Sequence, residues 1–377
     1  MINSEKRIYL SPPTMKEDER KLLLQAFDSN WIAPLGPEVD MFEEEVSKYL
    51  KIPYSLALNS GTSALHLALK VLGVKRGDKV ICPSLTFAAS AFSILYQDAI
   101  PIFFDVGEKS WVAEPYLIEK TIKIHKPKAL ITVDLYGQSC NYELISKICK
   151  HYNVLIIEDA AEALGSRFQK KMVGSFGDIA IISFNGNKII TTSSGGMLLS
   201  KHKNFVEKAR YLSNQAKENK NFYEHHELGY NYRLSNLLAS IGRGQLKSIE
   251  EFVNIRRGIF EKYKNAISCY DGFDFLSEIN GCVSNRWLTT LTVDEKKAGI
   301  SRDDIINALA VENIESRPIW NPMHLQPFFK NQTYVMEGMK DNSKNIFECG
   351  VCLPSGSSLT NKDQDKIIDI IVSLINN

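Results

Sequence analysis

From about residue 55, short apolar runs alternate with longer stretches in which helix-forming residues predominate. The apolar runs have the length of single strands: YSLALNS, KVICPS, IPIFFDV, KALITVDLYG, VLIIEDA and IAIISFN. Between them lie stretches typical of helices, such as TSALHLALKVLG, TFAASAFSILYQ and NYELISKICKHY. Strands that are apolar along their whole length indicate a parallel sheet covered by helices on both faces. The pattern therefore predicts an α/β fold built from strand–helix–strand units.

The pattern changes near residue 245. A charged helix is predicted over residues 250–267, RWLTTLTV alternates like a half-buried strand, and a last amphipathic helix follows Thr360. We therefore predict a large α/β domain over residues 41–245 and a smaller α+β domain over residues 246–377. The first 40 residues include the Pro- and Gly-containing segments SPPT and IAPLGPE and are predicted to form an N-terminal arm that closes over the main body.

Composition and charge narrow the possible partners. The 377 residues carry a net charge of +1, which gives no general reason to expect nucleic acid or an anionic membrane as partner. No apolar run reaches transmembrane length, and the N-terminus lacks the apolar core of a signal peptide. The seven cysteines include one CxxC pair, Cys349 and Cys352, without a second pair to complete a zinc site. These features predict a cytoplasmic protein with reduced thiols and no metal.

One lysine has an unusual setting. The segment SFNGNKIITTSSGG, residues 183–196, contains Lys188 as its single charged residue, among small, hydroxyl and amide side chains. Most lysines lie at the surface and need no such surroundings. A nucleophilic lysine does need them, because poor solvation favours the uncharged amine.

Other candidate residues follow the predicted strands, where open parallel sheets bind their ligands. The segment NSGTSAL suits a phosphate at a helix N-terminus, although it also fits an ordinary helix cap. Phe87 can stack on a planar cofactor or belong to the core. Asp159 can hold a cationic ring nitrogen or cap a turn. Ser183 precedes Lys188 at the end of another strand.

Four features follow one another along the chain: the phosphate site in NSGTSAL, Phe87, Asp159, and Ser183 with Lys188. Together they match the needs of one cofactor, pyridoxal 5′-phosphate (PLP). Its aldehyde requires an amine, its phosphate an anion site and its ring a flat surface. Its pyridine nitrogen requires a carboxylate in order to stay protonated.

A family resemblance supports the same cofactor. The chain resembles the DegT/StrS-type nucleotide-sugar aminotransferases in NSGTSALHLAL, PSLTFAAS, EDAAEALGS, SFNGNKIITTSSGGM and GYNYRLSNLLASIG. The resemblance covers nearly the whole chain. It implies the aspartate aminotransferase fold (fold type I of PLP enzymes), with a mostly parallel seven-stranded sheet and a smaller α+β C-terminal domain.

The resemblance also implies roles at the cofactor. Lys188 is the catalytic residue that forms the Schiff base, Asp159 pairs with the pyridine nitrogen, and Phe87 stacks on the ring. Three residues are assigned to the phosphate: Gly61, Thr62 and Ser183.

Four further residues are assigned by the same resemblance. Asn231 reaches the cofactor phosphate of a neighbouring subunit, which implies a homodimer with shared sites. Glu162 stands where many relatives carry Gln or His near the cofactor's phenolic oxygen. Arg233 and His324 are assigned to the nucleotide sugar, and His324 equally fits a structural role.

The implied reaction moves an amino group from L-glutamate to C4 of a nucleotide-linked 4-keto-6-deoxy sugar. The segments SPP, IAPLG, SNRWL and RPIWNPMH are most similar to the subgroup that acts on UDP-linked N-acetylhexosamines, in surface-glycan or glycoprotein synthesis. The alternatives are C3 amination of a dTDP-linked keto sugar and a non-catalytic sensor of the same fold. Lys188 argues against the sugar 3-dehydratase relatives, which carry His at this position. An NAD-dependent oxidoreductase is disfavoured because no GxGxxG follows the first strand.

Overall fold

The computed structural model describes residues 6–376. The strands of this part are β1 Tyr54–Leu58, β2 Lys79–Pro83, β3 Ile100–Phe104, β4 Ala129–Val133, β5 Leu155–Asp159, β6 Arg167–Phe168, β7 Lys171–Met172, β8 Ile179–Ser183, β9 Gly196–Ser200, β10 Phe273–Phe275, β11 Cys282–Val283, β12 Thr289–Val293, β13 Arg317–Pro318, β14 Tyr334–Val335 and β15 Gly350–Leu353. Its α-helices are α1 Glu17–Asp28, α2 Pro37–Leu50, α3 Gly61–Val71, α4 Ala88–Leu95, α5 Pro115–His125, α6 Tyr142–Tyr152, α7 Lys203–Ser213, α8 Asn236–Lys247, α9 Ile249–Ile267, α10 Glu295–Ala298, α11 Arg302–Val311, α12 Asn342–Cys349 and α13 Asn361–Ile375.

The central sheet has the strand order β1-β9-β8-β5-β4-β2-β3-β14. All its strands are parallel except β9, which pairs antiparallel with both β1 and β8. The predicted α/β fold with a mostly parallel sheet is thus confirmed, with seven strands of five residues each. An eighth strand, β14, extends the edge beside β3. Its two residues are too few to produce a periodic signal in the sequence.

Successive side chains of each strand point to opposite faces of the sheet, and they contribute to two cores, one on each face. In β9, Leu198 belongs to the core beneath α3 and α4, whereas Met197 and Leu199 face the core that α2 and α8 cover. Ile181 and Ile182 of β8 divide in the same way. Burial on both faces explains why these strands are apolar throughout.

The C-terminal part forms a second sheet, β10-β12-β15-β13, covered by α9, α11 and α13 around a third core. This agrees with the α+β pattern of the sequence. The N-terminal segment joins this part, because Ile8 pairs with Ile314 and the Leu10 carbonyl accepts from the Ser355 N–H at 2.8 Å. The proposed boundaries at residues 40 and 245 fall within α2 and α8; the division into domains stays a prediction.

Residues 6–376 also bear on the cysteines, on membrane spans and on metal sites. All seven cysteines are free thiols. No helix of this part is both long and apolar enough to cross a membrane. The same residues contain no group of three or more His, Cys, Asp or Glu side chains arranged to hold a metal ion.

Candidate active site

A cavity of about 200 Å³ lies where β2, β5 and β8 end and α3 begins. Seven of the residues proposed from the sequence line it: Gly61, Thr62, Phe87, Asp159, Glu162, Ser183 and Lys188. The parallel strands bring these residues together because their carboxyl ends share one edge of the sheet.

One end of the cavity suits an anion. The Ser60 hydroxyl accepts from the Ser63 N–H at 3.0 Å and caps α3, and the Ser60 carbonyl accepts from the Ala64 N–H at 3.2 Å. The N–H groups of Gly61 and Thr62, in the first turn, have no acceptor within the helix. Together with the helix dipole, these N–H groups are suited to a phosphate.

Two glycines keep this anion site compact. A Cβ atom on Gly196 would lie 2.4 Å from the Gly61 nitrogen, and one on Gly61 would lie 3.2 Å from the Ser183 Cβ. The chain at β9 therefore approaches the first turn of α3 more closely than a side chain allows.

Asp159 lies at the base of the cavity and is 5% exposed. Its Oδ2 accepts from the Ser90 hydroxyl at 2.7 Å, and its Oδ1 accepts from the Ala161 N–H at 3.2 Å. Burial raises the pKa of Asp159 to about 6, while the hydrogen bond from Ser90 opposes the shift. A cationic partner in the cavity would favour the ionised carboxylate, so this residue fits a protonated pyridine nitrogen.

Lys188 also faces the cavity, and its side chain is 12% exposed. Its Nζ lies 3.4 Å from Glu162 Oε1 and 3.9 Å from the centre of the Trp287 ring. Glu162 Oε2 accepts from the Tyr136 N–H at 2.8 Å, which fixes the carboxylate toward the lysine. The ammonium is thus held by an ion pair and by an aromatic face.

Four rings form an aromatic wall beside the cavity: Trp287, Tyr136, Trp320 and Phe87. Tyr136 stacks between Trp287, at 6.0 Å, and Trp320, at 6.2 Å between ring centres. Phe87 is 5.3 Å from Trp320 and 53% exposed, so its face is free for a planar ligand. Tyr136, Trp287 and Trp320 were not among the residues predicted from the sequence. The segments SNRWL and RPIW contribute to the family resemblance, but no role was assigned to their tryptophans.

Three proposed site residues lie outside the cavity lining. Asn231 is exposed, and its carbonyl accepts from the Asn59 side chain at 3.3 Å. Arg233 is half-buried, and its Nε has no hydrogen-bond acceptor among residues 6–376.

His324 is the third residue outside the lining. Its Nδ1 lies 2.7 Å from Ser84 Oγ and its Nε2 lies 2.9 Å from Asp341 Oδ2. Its ring stacks on Tyr334 at 3.8 Å. With both ring nitrogens engaged, this arrangement favours the structural role of His324.

Residues 13–372 match the model of the DegT/DnrJ/EryC1/StrS aminotransferase family. The chain belongs to this family. It is 48% identical over 375 residues to EpsN of Bacillus subtilis, named as a candidate PLP-dependent aminotransferase, covering 98% of this chain and 96% of EpsN. It is 34% identical to a Vibrio cholerae protein named GDP-perosamine synthase, covering 97% and 98%. A Campylobacter jejuni protein named UDP-4-amino-4,6-dideoxy-N-acetyl-β-L-altrosamine transaminase is 30% identical, with 90% of each chain covered.

Solved structures agree with this family assignment. The PLP form of Spr1654 from Streptococcus pneumoniae, named as a candidate sugar aminotransferase, has a TM-score of 0.88 at 26% identity, covering 98% of this chain and 99% of that one. The protein is therefore a PLP-dependent nucleotide-sugar aminotransferase. The anion end, Asp159 and Lys188 fit the phosphate, the ring nitrogen and the aldehyde of that cofactor.

Proposed function

We propose that this aminotransferase moves the amino group of L-glutamate to C4 of a UDP-linked 2-acetamido-4-keto-6-deoxy sugar. The observation that carries the chemistry is the position of Lys188, which faces Glu162 and lies at one end of the aromatic wall. The apolar ring of Trp320, which lines the cavity, suits the methyl group of a 6-deoxy sugar. The name of the Campylobacter relative describes a 4-amino group on a UDP-linked 6-deoxy N-acetyl sugar, which supports the acceptor class.

In this proposal each side chain has a defined task. PLP supplies an aldehyde that condenses with amines and a protonated ring that acts as an electron sink. Gly61, Thr62 and Ser183 hold its phosphate, Asp159 holds its ring nitrogen and Phe87 covers its face. These residues fix the orientation of the cofactor in the cavity.

Lys188 and Glu162 provide the proton chemistry. Lys188 would anchor the cofactor through Nζ and, when Nζ is free, would take the proton from the α-carbon of the donor and give it back as general base and then acid. Glu162 holds the lysine ammonium at 3.4 Å while the amine is free. Since donor and acceptor use one site in turn, we expect ping-pong kinetics.

We further propose a homodimer with shared active sites, in which Asn231 contacts the cofactor phosphate of the neighbouring subunit. Its exposed position next to Asn59, two residues before the helix that binds phosphate, supports a contact with a second chain. Arg233, with its unpaired Nε, is proposed to contact the nucleotide sugar. The free thiols support a cytoplasmic location.

A product assay tests the acceptor. The enzyme is incubated with glutamate and a panel of UDP-, GDP- and dTDP-linked 4-keto-6-deoxy sugars, and products are identified by mass and by NMR coupling constants. We expect the UDP-linked acceptor to be aminated at C4 with the highest kcat/KM.

A second candidate acceptor is GDP-linked, because the relative named GDP-perosamine synthase is 34% identical to this chain. Preference for the GDP sugar would replace the UDP proposal. Amination at C3 of a dTDP sugar would overturn the proposed position, and no transfer to any acceptor would overturn the substrate class.

A further inference from the structure

Arg256, in the middle of α9, is a buried cation without an opposite charge. Its residue is 1% exposed, and no carboxylate of residues 6–376 forms an ion pair with it. Burial lowers the pKa of Arg256 to about 9. Removing a charge from water without pairing it is costly, and an apolar side chain of similar size often serves stability as well. The presence of this arginine therefore calls for an explanation beyond packing.

The guanidinium donates hydrogen bonds to three neutral oxygens. Nη1 donates to the Trp287 carbonyl at 2.5 Å, Nη1 and Nη2 both donate to Ser11 Oγ at 3.2 Å, and Nε donates to Ser357 Oγ at 3.2 Å. Since a guanidinium has no acceptor atom, the hydroxyl hydrogen of Ser11 must point elsewhere. It is donated to the Asn187 carbonyl at 2.8 Å.

The Asn187 carbonyl accepts a second hydrogen bond, from Trp287 Nε1 at 2.7 Å. Asn187 directly precedes Lys188, so this carbonyl belongs to the peptide bond that carries the lysine. Both of its donors, Ser11 and Trp287, are themselves held by Arg256. The ring of Trp287 also lies 3.9 Å from Lys188 Nζ.

We propose that Arg256 is a positioning residue for Lys188, acting through Ser11 and Trp287 on the peptide bond between Asn187 and Lys188. The network joins three distant parts of the chain: the N-terminal segment, α9 and the loop before β12. It explains why a buried cation is retained among neutral oxygens, since only a fork of several donors reaches these partners together. The role is independent of which sugar the enzyme aminates.

Two serines that accept from the same guanidinium provide a matched test. Ser11→Ala removes the hydroxyl that connects Arg256 to Asn187, whereas Ser357→Ala removes a hydroxyl with no such connection. Cofactor-free protein is mixed with PLP, and the rate at which the absorption of the lysine-linked cofactor appears is recorded. Affinity for pyridoxamine 5′-phosphate, which has no aldehyde to join to the lysine, is measured in parallel.

For Ser11→Ala we expect about a 10-fold slower linkage and unchanged affinity for pyridoxamine phosphate, because a misplaced reactive group slows its reaction strongly. Ser357→Ala should form the linkage at the wild-type rate. Arg256→Met should resemble Ser11→Ala if it folds, and the serine variants decide the question if it does not. Wild-type linkage rates in Ser11→Ala, equal losses in both serine variants, or a parallel loss of pyridoxamine phosphate affinity would each overturn the proposal.

Discussion

Among single residues, Lys188 combines an ion pair with Glu162, at 3.4 Å, and contact with an indole face. We predict that Lys188→Ala abolishes transamination and the absorption of the lysine-linked cofactor, while circular dichroism stays unchanged. The reason is that Lys188 is the one residue proposed both to bond covalently to the cofactor and to move the proton of the amino donor. Lys147→Ala is a suitable control, since Lys147 forms an exposed pair with Glu143 on α6. Turnover near wild type in Lys188→Ala would refute the assignment.

The raised pKa of Asp159 leads to a prediction about how stability depends on pH. Its folded-state pKa of about 6 exceeds the ordinary value of 3.8, so the native state binds this proton more tightly than the unfolded state. Its protonated form therefore favours folding at low pH, and this contribution is lost as the pH rises through about 6. Ionisation of Asp159 should therefore lower the free energy of unfolding by about 3 kcal/mol as the pH rises from below 3.8 to above about 6.

We therefore expect cofactor-free Asp159→Asn to melt at a higher temperature than wild type at pH 8, with the difference largely gone at pH 4. Addition of PLP should reverse the order at pH 8, because Asn lacks the charge that holds the pyridinium. Transamination should fall by more than about 10-fold, since a charge-assisted hydrogen bond contributes about 1.5–3 kcal/mol. Equal melting temperatures of the cofactor-free proteins at pH 8 would contradict the buried-carboxyl account.

At the scale of elements, the contact between β9 and the first turn of α3 shapes the anion end. Gly196→Ala would place a methyl group 2.4 Å from the Ser60 carbonyl carbon and the Gly61 nitrogen, so one element must move. We predict at least about a 10-fold weaker affinity for PLP, through misplaced phosphate donors. Titration of cofactor-free protein measures this affinity.

The control for this glycine is Gly258→Ala in α9. Gly258 is exposed, and a Cβ there has no neighbour within 4 Å. This variant should bind PLP normally and be more stable by about 0.5–1 kcal/mol, because Ala favours helix over Gly. Normal PLP binding by Gly196→Ala would show that the close approach does not shape the site.

Local sequence patterns predicted the elements that carry the site, since β5, β8 and α3 each have a clear apolar or capping signal. Asp159, Ser183 and Gly61 were found because they stand at the ends of those elements. Tyr136 and Trp287 were not found, because they lie outside the strands and α-helices that the patterns predict. Tyr136 has a positive φ of 53°, and Trp287 follows Arg286 at 52°. Their positions depend on packing between distant segments, which periodicity does not encode.

At the scale of the whole molecule, shared sites predict complementation between inactive subunits. Lys188→Ala and Asn231→Ala are each expected to be inactive or nearly so as homodimers. In a hybrid dimer, one site would have Lys188 from one chain and Asn231 from the other, and would be intact. A refolded equimolar mixture should regain about a quarter of wild-type activity, because half of its dimers are hybrids with one working site.

The hybrid experiment distinguishes contributions between chains from those within one chain. If Asn231 acted within its own subunit, the mixture would stay inactive, and the proposed sharing would be wrong. Sedimentation equilibrium of the unmixed variants provides the control, since each must assemble as wild type does. A monomer at all concentrations would exclude the homodimer.

The aromatic wall has a consequence for how the protein can be observed. Two of the four tryptophans in the chain, Trp287 and Trp320, belong to the wall. Indole emission overlaps the near-ultraviolet absorption of a lysine-linked pyridoxal group, so excitation passes from these rings to a nearby acceptor. The intrinsic tryptophan fluorescence should therefore decrease as the cofactor binds, so that cofactor occupancy can be followed without a label.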